Sequence, residues 1–551
     1  MEYRGEEHDN LYFLLDYFSS NDTTASKPWK LSVDQLKLDN LHFRHRVESD
    51  SLEPEGVDFS NLDIDSIHGD LYDIHFVGDS VFARIEKLRF HDHSGFTLQE
   101  LSADAKVGPD ELRCKGLKIV TPQTSIRADL TFQFDSFPDF DEFLEKVRWR
   151  GDFTSSTVSF TDIAYFATDL KGLDKAVALE GNFRGTVSKF RGRNVRLGWG
   201  KESVFKGNIS MTGLPEIDET YIDVLAEQIR TSARDIEWIP IPPFETKQTI
   251  DVPENLEDLG LVDFKGKFTG FFSDFVAYGN LNSDVGYLSA DINLKYDSRI
   301  KDYVYKGHVS SNHFDIGKIA RIGDMGQVTL AADIDGKGLR FETVDARLIG
   351  NIQSLGFKNY AYSNIKVNGE IAKKLFNGKV NVQDPNLDLD FEGKINFQGK
   401  LPIFDFTAAI KRAHLDPLNL VNISGDNYIS TTINSRLTGN NLDNLTGEVR
   451  IDNTNFQVDQ KLYRVNRIFL NSTWLDQEER DLFLESDFLD ARMSGRFQLA
   501  QLGDAAKQWL PRYLPSVILP MKTDPGIQDF TFTIRVKNTS FLTETFLPSW
   551  T

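Results

Sequence analysis

The sequence predicts an all-β protein with few short helices: an elongated, repetitive β-sheet, solenoid-like, curled into an open groove. Three observations predict it. Short runs alternate apolar and polar residues from about residue 30 to the end. Gly, Asn and Asp interrupt those runs at short intervals. A strand motif punctuated by Gly recurs along the chain. In a strand, successive side chains point to opposite faces, so each run makes one apolar and one polar face.

Residues 1–27 read as a lead-in, apolar at Leu11-Tyr12-Phe13-Leu14-Leu15 and then loop-like; strands begin at Trp29. The run Leu288-Ser289-Ala290-Asp291-Ile292-Asn293-Leu294-Lys295-Tyr296 shows the alternation most clearly. Comparable runs fall at 31–38, 81–90, 126–134, 177–187, 262–272, 328–334, 387–397, 429–437, 445–451, 482–488 and 530–536. Regular short strands separated by turn signals predict an all-β architecture. The whole of 28–551 reads as one continuous groove of loose strand repeats.

Helical inserts are expected at three places. Residues 139–149 set Phe140, Phe143, Leu144 and Val147 on one face, and 161–170 do the same with Ile163, Phe166, Ala167 and Leu170. The third, 501–513, is stopped by Pro511 and Pro515. Shorter turns are expected near 314–319 and 415–420. The repeats share the form apolar-x-Gly-x-Phe-x-Gly-x-apolar, as in Leu179-Glu180-Gly181-Asn182-Phe183-Arg184-Gly185-Thr186-Val187 and Phe264-Lys265-Gly266-Lys267-Phe268-Thr269-Gly270-Phe271-Phe272. Phe391-Glu392-Gly393-Lys394-Ile395 is a variant. Gly inside a strand marks a bend or a close approach, and repeated strand units suggest stacking neighbours that bury one another's edges.

Composition bounds the function. The net charge of −21 argues against a nucleic-acid partner, which needs clustered Lys and Arg. Phe, at 42 residues against 16 Tyr and 7 Trp, suits an apolar surface that offers no hydrogen-bond partner. The single cysteine, Cys114, cannot form an internal disulfide and reads as a buried thiol. No apolar run is long enough for a helix to span a bilayer, and Met1–Asn10 is polar and acidic rather than a signal peptide.

No catalytic or metal motif emerges, and no cofactor is expected. His42, His45, His68, His75, His91 and His93 cluster in sequence, but no matched carboxylate or Cys pattern completes a metal set. Asp388 and Asp390 alternate with Leu387, Leu389 and Phe391, as a solvated strand face does, with Asp384 on the same spacing. Asp333-x-Asp335-Gly336 lacks the terminal glutamate of a calcium loop and reads as a hairpin turn. Gly336-Lys337-Gly338 and Gly198-Trp199-Gly200 lack the glycine and helix of a dinucleotide loop.

The apolar face is the stronger candidate. On composition alone, two such faces closing into a sandwich core is the simpler reading. Against it, the strands continue without a fold-length boundary, and Phe, Leu, Ile and Val dominate one face throughout. The candidate lining residues are Phe183, Val187, Phe205, Ile209, Phe264, Phe268, Leu288, Ile292, Leu294, Val380, Leu389, Phe391, Ile395, Ile433, Val449, Phe497, Phe532 and Ile534. A one-residue register slip would turn every one of them to the other face.

The chain resembles the TamB family, the large members of the AsmA-like bridge proteins of diderm bacteria, in the versions found in Bacteroidota. The stretches that carry the likeness begin with Trp29-Lys30-Leu31-Ser32-Val33, Leu38-Asp39-Asn40-Leu41-His42-Phe43 and Ser94-Gly95-Phe96-Thr97-Leu98. They continue with Leu117-Lys118-Ile119-Val120-Thr121-Pro122, Asp162-Ile163-Ala164-Tyr165-Phe166 and Gly213-Leu214-Pro215. Phe314-Asp315-Ile316-Gly317 and Asn453-Thr454-Asn455-Phe456 complete the set, which together covers most of residues 10–500. Family members carry an N-terminal membrane anchor and a C-terminal outer-membrane domain; the resemblance therefore implies that this chain is an internal segment.

The resemblance implies a taco-shaped β-groove in the periplasm, non-enzymatic, carrying phospholipid acyl chains between the inner and outer membranes. The energetics fit. Acyl chains exposed to water cost about 0.8 kcal/mol per CH₂, so two chains of around 16 carbons cost on the order of 20 kcal/mol. At about 20 residues per strand and turn the chain holds under 30 strands, and at roughly 4.8 Å per strand the groove reaches on the order of 100 Å. A second implied function is a scaffold for outer-membrane protein assembly with a TamA-like barrel partner, in which an exposed sheet edge templates client strands. A β-helical enzyme or adhesin needs more regular crossings than this spacing, and an outer-membrane barrel fits the inserts and Gly repeats poorly.

Overall fold

The computed structural model of the protein describes residues 32–46, 56–339, 343–419, 427–458, 461–509 and 526–537. The predicted lead-in at 1–27 lies outside them. The all-β expectation holds: 27 strands belong to an antiparallel sheet. The chain divides into two compact units, Met1–Asp284 and Val285–Thr551.

In the first unit the strands are β1 (Ser32–Arg44), β2 (Asp63–Val77), β3 (Ser80–Asp92), β4 (Thr97–Val107), β5 (Glu111–Val120), β6 (Ser125–Gln133), β7 (Arg148–Ser159), β8 (Ala176–Gly185), β9 (Lys189–Trp199), β10 (Ser203–Thr212), β11 (Tyr221–Ser232), β12 (Leu261–Phe271) and β13 (Asp274–Ser283). The second unit holds β14 (Gly286–Asp297), β15 (Asp302–Asp315), β16 (Met325–Lys337), β17 (Asp345–Phe357), β18 (Tyr360–Ala372), β19 (Leu375–Asp384), β20 (Leu387–Asn396), β21 (Ile403–His414), β22 (Tyr428–Thr438), β23 (Thr446–Val458), β24 (Lys461–Trp474), β25 (Arg480–Ser486), β26 (Leu489–Arg496) and β27 (Asp529–Val536). Within each unit every strand pairs antiparallel with the next in sequence. Among the described residues β1 pairs only with β2 and β27 only with β26, so neither sheet closes into a barrel.

Each alternating run named from the sequence overlaps a strand, although several run one or two residues past its end. Asp333-x-Asp335-Gly336 is a correction: it is strand rather than turn, inside β16, with Asp333 against His308 at 3.0 Å and Asp335 against Lys306 at 3.0 Å. The alternation Thr329-Leu330-Ala331-Ala332-Asp333-Ile334-Asp335 extends the ladder through the two acids.

Helices serve the strand ends. Among the described residues the longest, Leu502–Trp509, has 8 residues. The expected insert at 139–149 is a 3₁₀ turn, Phe137–Glu142, followed by Phe143–Lys146. It ends early because Arg148 and Trp149 join β7, where Trp149 pairs with Phe132. The insert at 161–170 is Phe160–Ala164 plus the 3₁₀ turn Thr168–Leu170. The expected end of the third, 510–513, lies outside the described residues. Ile316–Ala320 is a helix capped by the Asp315 carboxylate, which accepts the Lys318 N–H. The short helices Ala233–Glu237 and Glu254–Glu257 were not expected; each is too brief to show a helical period.

Bulges bend the first sheet. Every pairing from β1 with β2 through β11 with β12 contains a register shift. A bulge bends its strand and increases the local twist. At four places an N–H beside such a shift is accepted by a side chain of a neighbouring strand. His68 Nδ1 takes Asn40 N–H at 3.2 Å, Ser102 Oγ takes Lys87 at 3.2 Å, Asp129 Oδ1 takes Gly116 at 2.7 Å and Asn208 Oδ1 takes Asn194 at 3.1 Å. All four donors sit at positive φ. In the second sheet His313, also at positive φ, gives its N–H to Thr329 Oγ1 at 3.0 Å.

Glycine makes room for rings. Gly369, Gly378 and Gly393 stand opposite one another across β18, β19 and β20. Beside them the Phe376, Phe391 and Phe406 rings follow in sequence, with centroids 6.0 and 5.2 Å apart. A Cβ on Gly369 would come within 2.7 Å of the Phe376 ring. The same device recurs at Gly192, whose Cβ would come within 2.8 Å of the Phe183 ring.

Two predictions follow from this geometry. Gly378→Val lowers the urea midpoint, at a cost of about 1–3 kcal/mol from overpacking, although Val favours strands, because its Cβ would come within 2.5 Å of the Asn368 carbonyl oxygen. Asp129→Ala costs about 1 kcal/mol by the same measurement, whereas Asp129→Asn, which keeps an acceptor for Gly116, costs less.

Candidate functional site

Residues directly opposite in an antiparallel pair share a face, so the register identifies the faces without ambiguity. In the first unit Phe183, Ile209 and Phe268 belong to one cross-strand row, running Phe183–Gly192–Ile209–Val224–Phe268. Phe205 and Phe264 share a second row through Ile229. Buried Phe183, Val195, Phe205 and Ala226 form a cluster against which Ile209, Val224, Ile229 and Phe264 pack. Five of the first unit's candidates therefore lie on one face. Val187 is a correction: β8 ends at Gly185, and Val187 sits in the turn to β9, where Lys189 N–H returns to Thr186 Oγ1 at 3.1 Å.

The second unit shows the same order over more strands. One row runs from Ile292 through Ile334, Leu348, Phe406, Val449 and Leu484 to Ile534. Leu288 and Leu389 share a second row, Val380, Phe391 and Ile433 a third, and Leu294, Ile395 and Phe532 a fourth. Rows on one face are about 7 Å apart, so four make an apolar band roughly 20 Å wide. Most of these side chains are half-buried, while Phe532 and Ile534, on edge strand β27, are exposed.

Phe497 is a further correction. It follows the end of β26 and is buried rather than open. The Arg480 guanidinium lies 4.6 Å from its ring centroid. Arg480 is itself 1% exposed and donates to the carbonyls of Leu442 at 2.8 Å and Asp443 at 3.0 Å. Burial pulls its pKa down, against the pull of Asp443. Phe376 and Phe406 were missed as candidates; their signal was the even spacing of Phe376 from Gly378 and of Phe406 from Phe404.

The opposite face carries most of the charge, tied across strands. Lys379 meets Glu392 at 2.9 Å, Lys411 meets Asp390 at 2.8 Å, and Arg492 meets Asp481 at 2.9 Å. Exposed Leu225, Tyr278 and Ile349 are apolar exceptions there. The histidines have local partners: His42 with Asp63 at 2.5 Å, His91 with Thr97 at 3.0 Å and His93 with Asp65 at 3.7 Å. Among the described residues no group of three His, Cys, Asp or Glu could hold a metal ion. Cys114 is half-buried, on the face of Leu130 and Ala105, and burial pushes its thiol pKa up.

The two edges of the second sheet differ. Among the described residues the connections from β19 to β20 and from β21 to β22 are closed. Leu418, fully buried, packs with Tyr362, Ile365, Val382 and Ala413. Asp384 accepts from Tyr360 Oη at 2.5 Å, Ser363 Oγ at 2.7 Å and Asn386 N–H at 2.8 Å. It thus ties a strand end, away from the solvated pair Asp388 and Asp390 on β20, and does not extend their face as the spacing suggested. Connections from even to odd strands carry exposed Ile300, Leu339, Phe397, Leu442 and Leu475.

Burial alone would raise the Asp384 pKa, but the hydrogen bonds from Tyr360, Asn386 and Ser363 outweigh it and the net shift is downward. A carboxylate lowered in the folded state contributes stability above its unfolded pKa of about 3.9, lost as pH falls through the folded value. Asp384→Asn should therefore be less stable than wild type at pH 7, with a shallower loss below about pH 4 in acid-titrated urea melts.

Among the described residues no helix is long and apolar enough to cross a membrane. No family model, curated protein or solved structure matches the chain.

Proposed function

We propose that the chain is a non-enzymatic carrier of phospholipids, whose acyl chains lie along the apolar face while their headgroups stay at the rim. The single observation that carries this reading is an apolar face that, among the described residues, has no second layer over it. Two rows run from β14 to β27 in the second unit, two more run from β14 as far as β22 and β25, and the described helices are short and sit at strand ends. A sheet hydrophobic on one face ordinarily buries it against another layer. The Phe-rich lining also suits a partner without hydrogen-bonding groups. The exposed apolar side chains along one rim of the second unit suit lipid entry from the side.

In this reading the protein works in the periplasm, between inner and outer membranes, with membrane contacts made by segments beyond those described. Lipid movement needs only a wall that replaces the aqueous exposure of acyl chains, worth about 0.8 kcal/mol per CH₂. It needs no reacting group and no cofactor.

A second reading has its own observation. β27 is an edge strand with exposed Phe532, Ile534 and Val536. An unpaired edge of that kind can template a client strand, as a scaffold for outer-membrane proteins working with a TamA-like barrel would.

Native mass spectrometry of the purified chain separates the two. The carrier reading expects co-purified phospholipids that disappear in the Phe268→Asp, Ile292→Asp double variant while the fold is retained. A lipid-free, folded wild-type protein that crosslinks through β27 to a client polypeptide would replace it with the scaffold reading.

A further inference from the structure

The polar face of the first unit holds a row in which like charges stand directly opposite one another. Thr131, Arg150, Arg184, Arg191 and Ser210 follow in register across β6, β7, β8, β9 and β10. Opposed residues have Cβ atoms about 5 Å apart, and like charges so placed are destabilising. Elsewhere on this face cations meet acids: Lys106 lies 3.2 Å from Glu111 and Arg113 lies 3.7 Å from it; within the row Arg150 reaches Asp152 at 3.5 Å. Among the described residues Arg184 and Arg191 have no carboxylate partner, and neither have Arg148 and Lys189 beside them. A cleft of about 700 Å³ opens at this place; its lining includes Arg148, Arg150, Arg184, Lys189 and Arg191, with Thr131 and Ser210, and also Trp149 and Phe190 of the apolar cluster.

The surrounding charge narrows the ligand. The chain as a whole carries −21. Beyond a Debye length of about 8 Å that field is screened, so an anion is held here only by short-range contacts. A single negative charge would neutralise one arginine and leave its neighbours opposed. Several closely spaced charges would neutralise the row together. The planar guanidinium matches phosphate oxygens two at a time, and a tetrahedral phosphate presents oxygens to arginines on both sides.

We propose that this arginine row is a binding site for a ligand bearing two or more closely spaced phosphate groups. The arginine row stands on the face opposite the apolar rows, and its charge does not depend on what those rows carry. The shared chemistry, clustered phosphate, is met by a soluble oligophosphate and by the headgroup of a doubly phosphorylated lipid.

The test uses the full chain with two probes. Inorganic tripolyphosphate is titrated calorimetrically, and vesicles of phosphatidylcholine with cardiolipin, whose headgroup carries two phosphates, are used in flotation. The variant is Arg184→Gln with Arg191→Gln. Removing two opposed charges should leave the melting temperature unchanged or raised, which separates lost binding from lost fold. The expected result is binding of at least one probe that weakens about tenfold or more in the double variant and falls with added salt. Arg184→Lys, which keeps the charge but loses the fork, should fall between. Arg196→Gln, whose residue stands opposite Glu180, should bind as wild type does. Binding of tripolyphosphate assigns the site to soluble ligands as well, and binding of vesicles alone assigns it to a headgroup. Failure of wild type to bind either probe, or equal binding by the double variant, overturns the proposal.

Discussion

The rest of the described structure follows from one constraint: each sheet is hydrophobic on one face, and among the described residues no second layer covers that face. Most two-layer proteins meet the need with another sheet or with helices. Here the described helices are too short and too peripheral to do so. The apolar side chains must cover one another across strands. Phe183, Val195, Phe205 and Ala226 reach burial in this way in the first unit, from β8, β9, β10 and β11 in turn. The half-buried state of most inward residues is the other consequence. A face that shields itself shields itself incompletely, and what remains open is what a carrier would use.

Bending is the means. A flat antiparallel sheet would hold its side chains parallel and leave them wet. The register shifts that run from β1 to β12 bend and twist successive strands. Their cost is an N–H outside the ladder and often a positive φ. The acceptors at His68, Ser102, Asp129 and Asn208 meet the first cost, and Asn40, Gly116 and Asn194 meet the second through residues that tolerate that conformation. Lys87 adopts it without such help, supported by Ser102 alone. The polar residues of the outer face thus shape the apolar one, although they never touch it.

Glycine and phenylalanine divide the inner surface between them. Where Gly369, Gly378 and Gly393 align, no side chain rises from the sheet, and the neighbouring Phe rings occupy that space. Strand ends need a different chemistry. Asp384 and Arg480 each put a polar or charged group among apolar neighbours, and each is tied to backbone or hydroxyl partners, as buried polar groups must be. They tie down strand ends and inserts.

The period-two alternation is local, so the strands and their faces were legible in the sequence. Leu288, Ile292 and Leu294 needed no partner strand to be placed on a common side, and Phe391 and Ile395 likewise. The repeated Gly-x-Phe motif marked where backbone and ring approach. What ran off the end of a strand was not legible. Val187 and Phe497 keep the parity of their runs but lie past the last ladder pair, and only the pairing register shows where a strand stops. Asp333 and Asp335 resembled a turn because turn chemistry and solvated strand chemistry use the same residues. The sequence by itself determined an all-β chain with one apolar side, because side-chain direction in a strand depends only on neighbouring residues. The tertiary structure alone decided which strand ends close, which bulges bend the sheet, where the chain divides into two units and that three arginines face one another. Each of those depends on residues far apart in the chain meeting in a particular register.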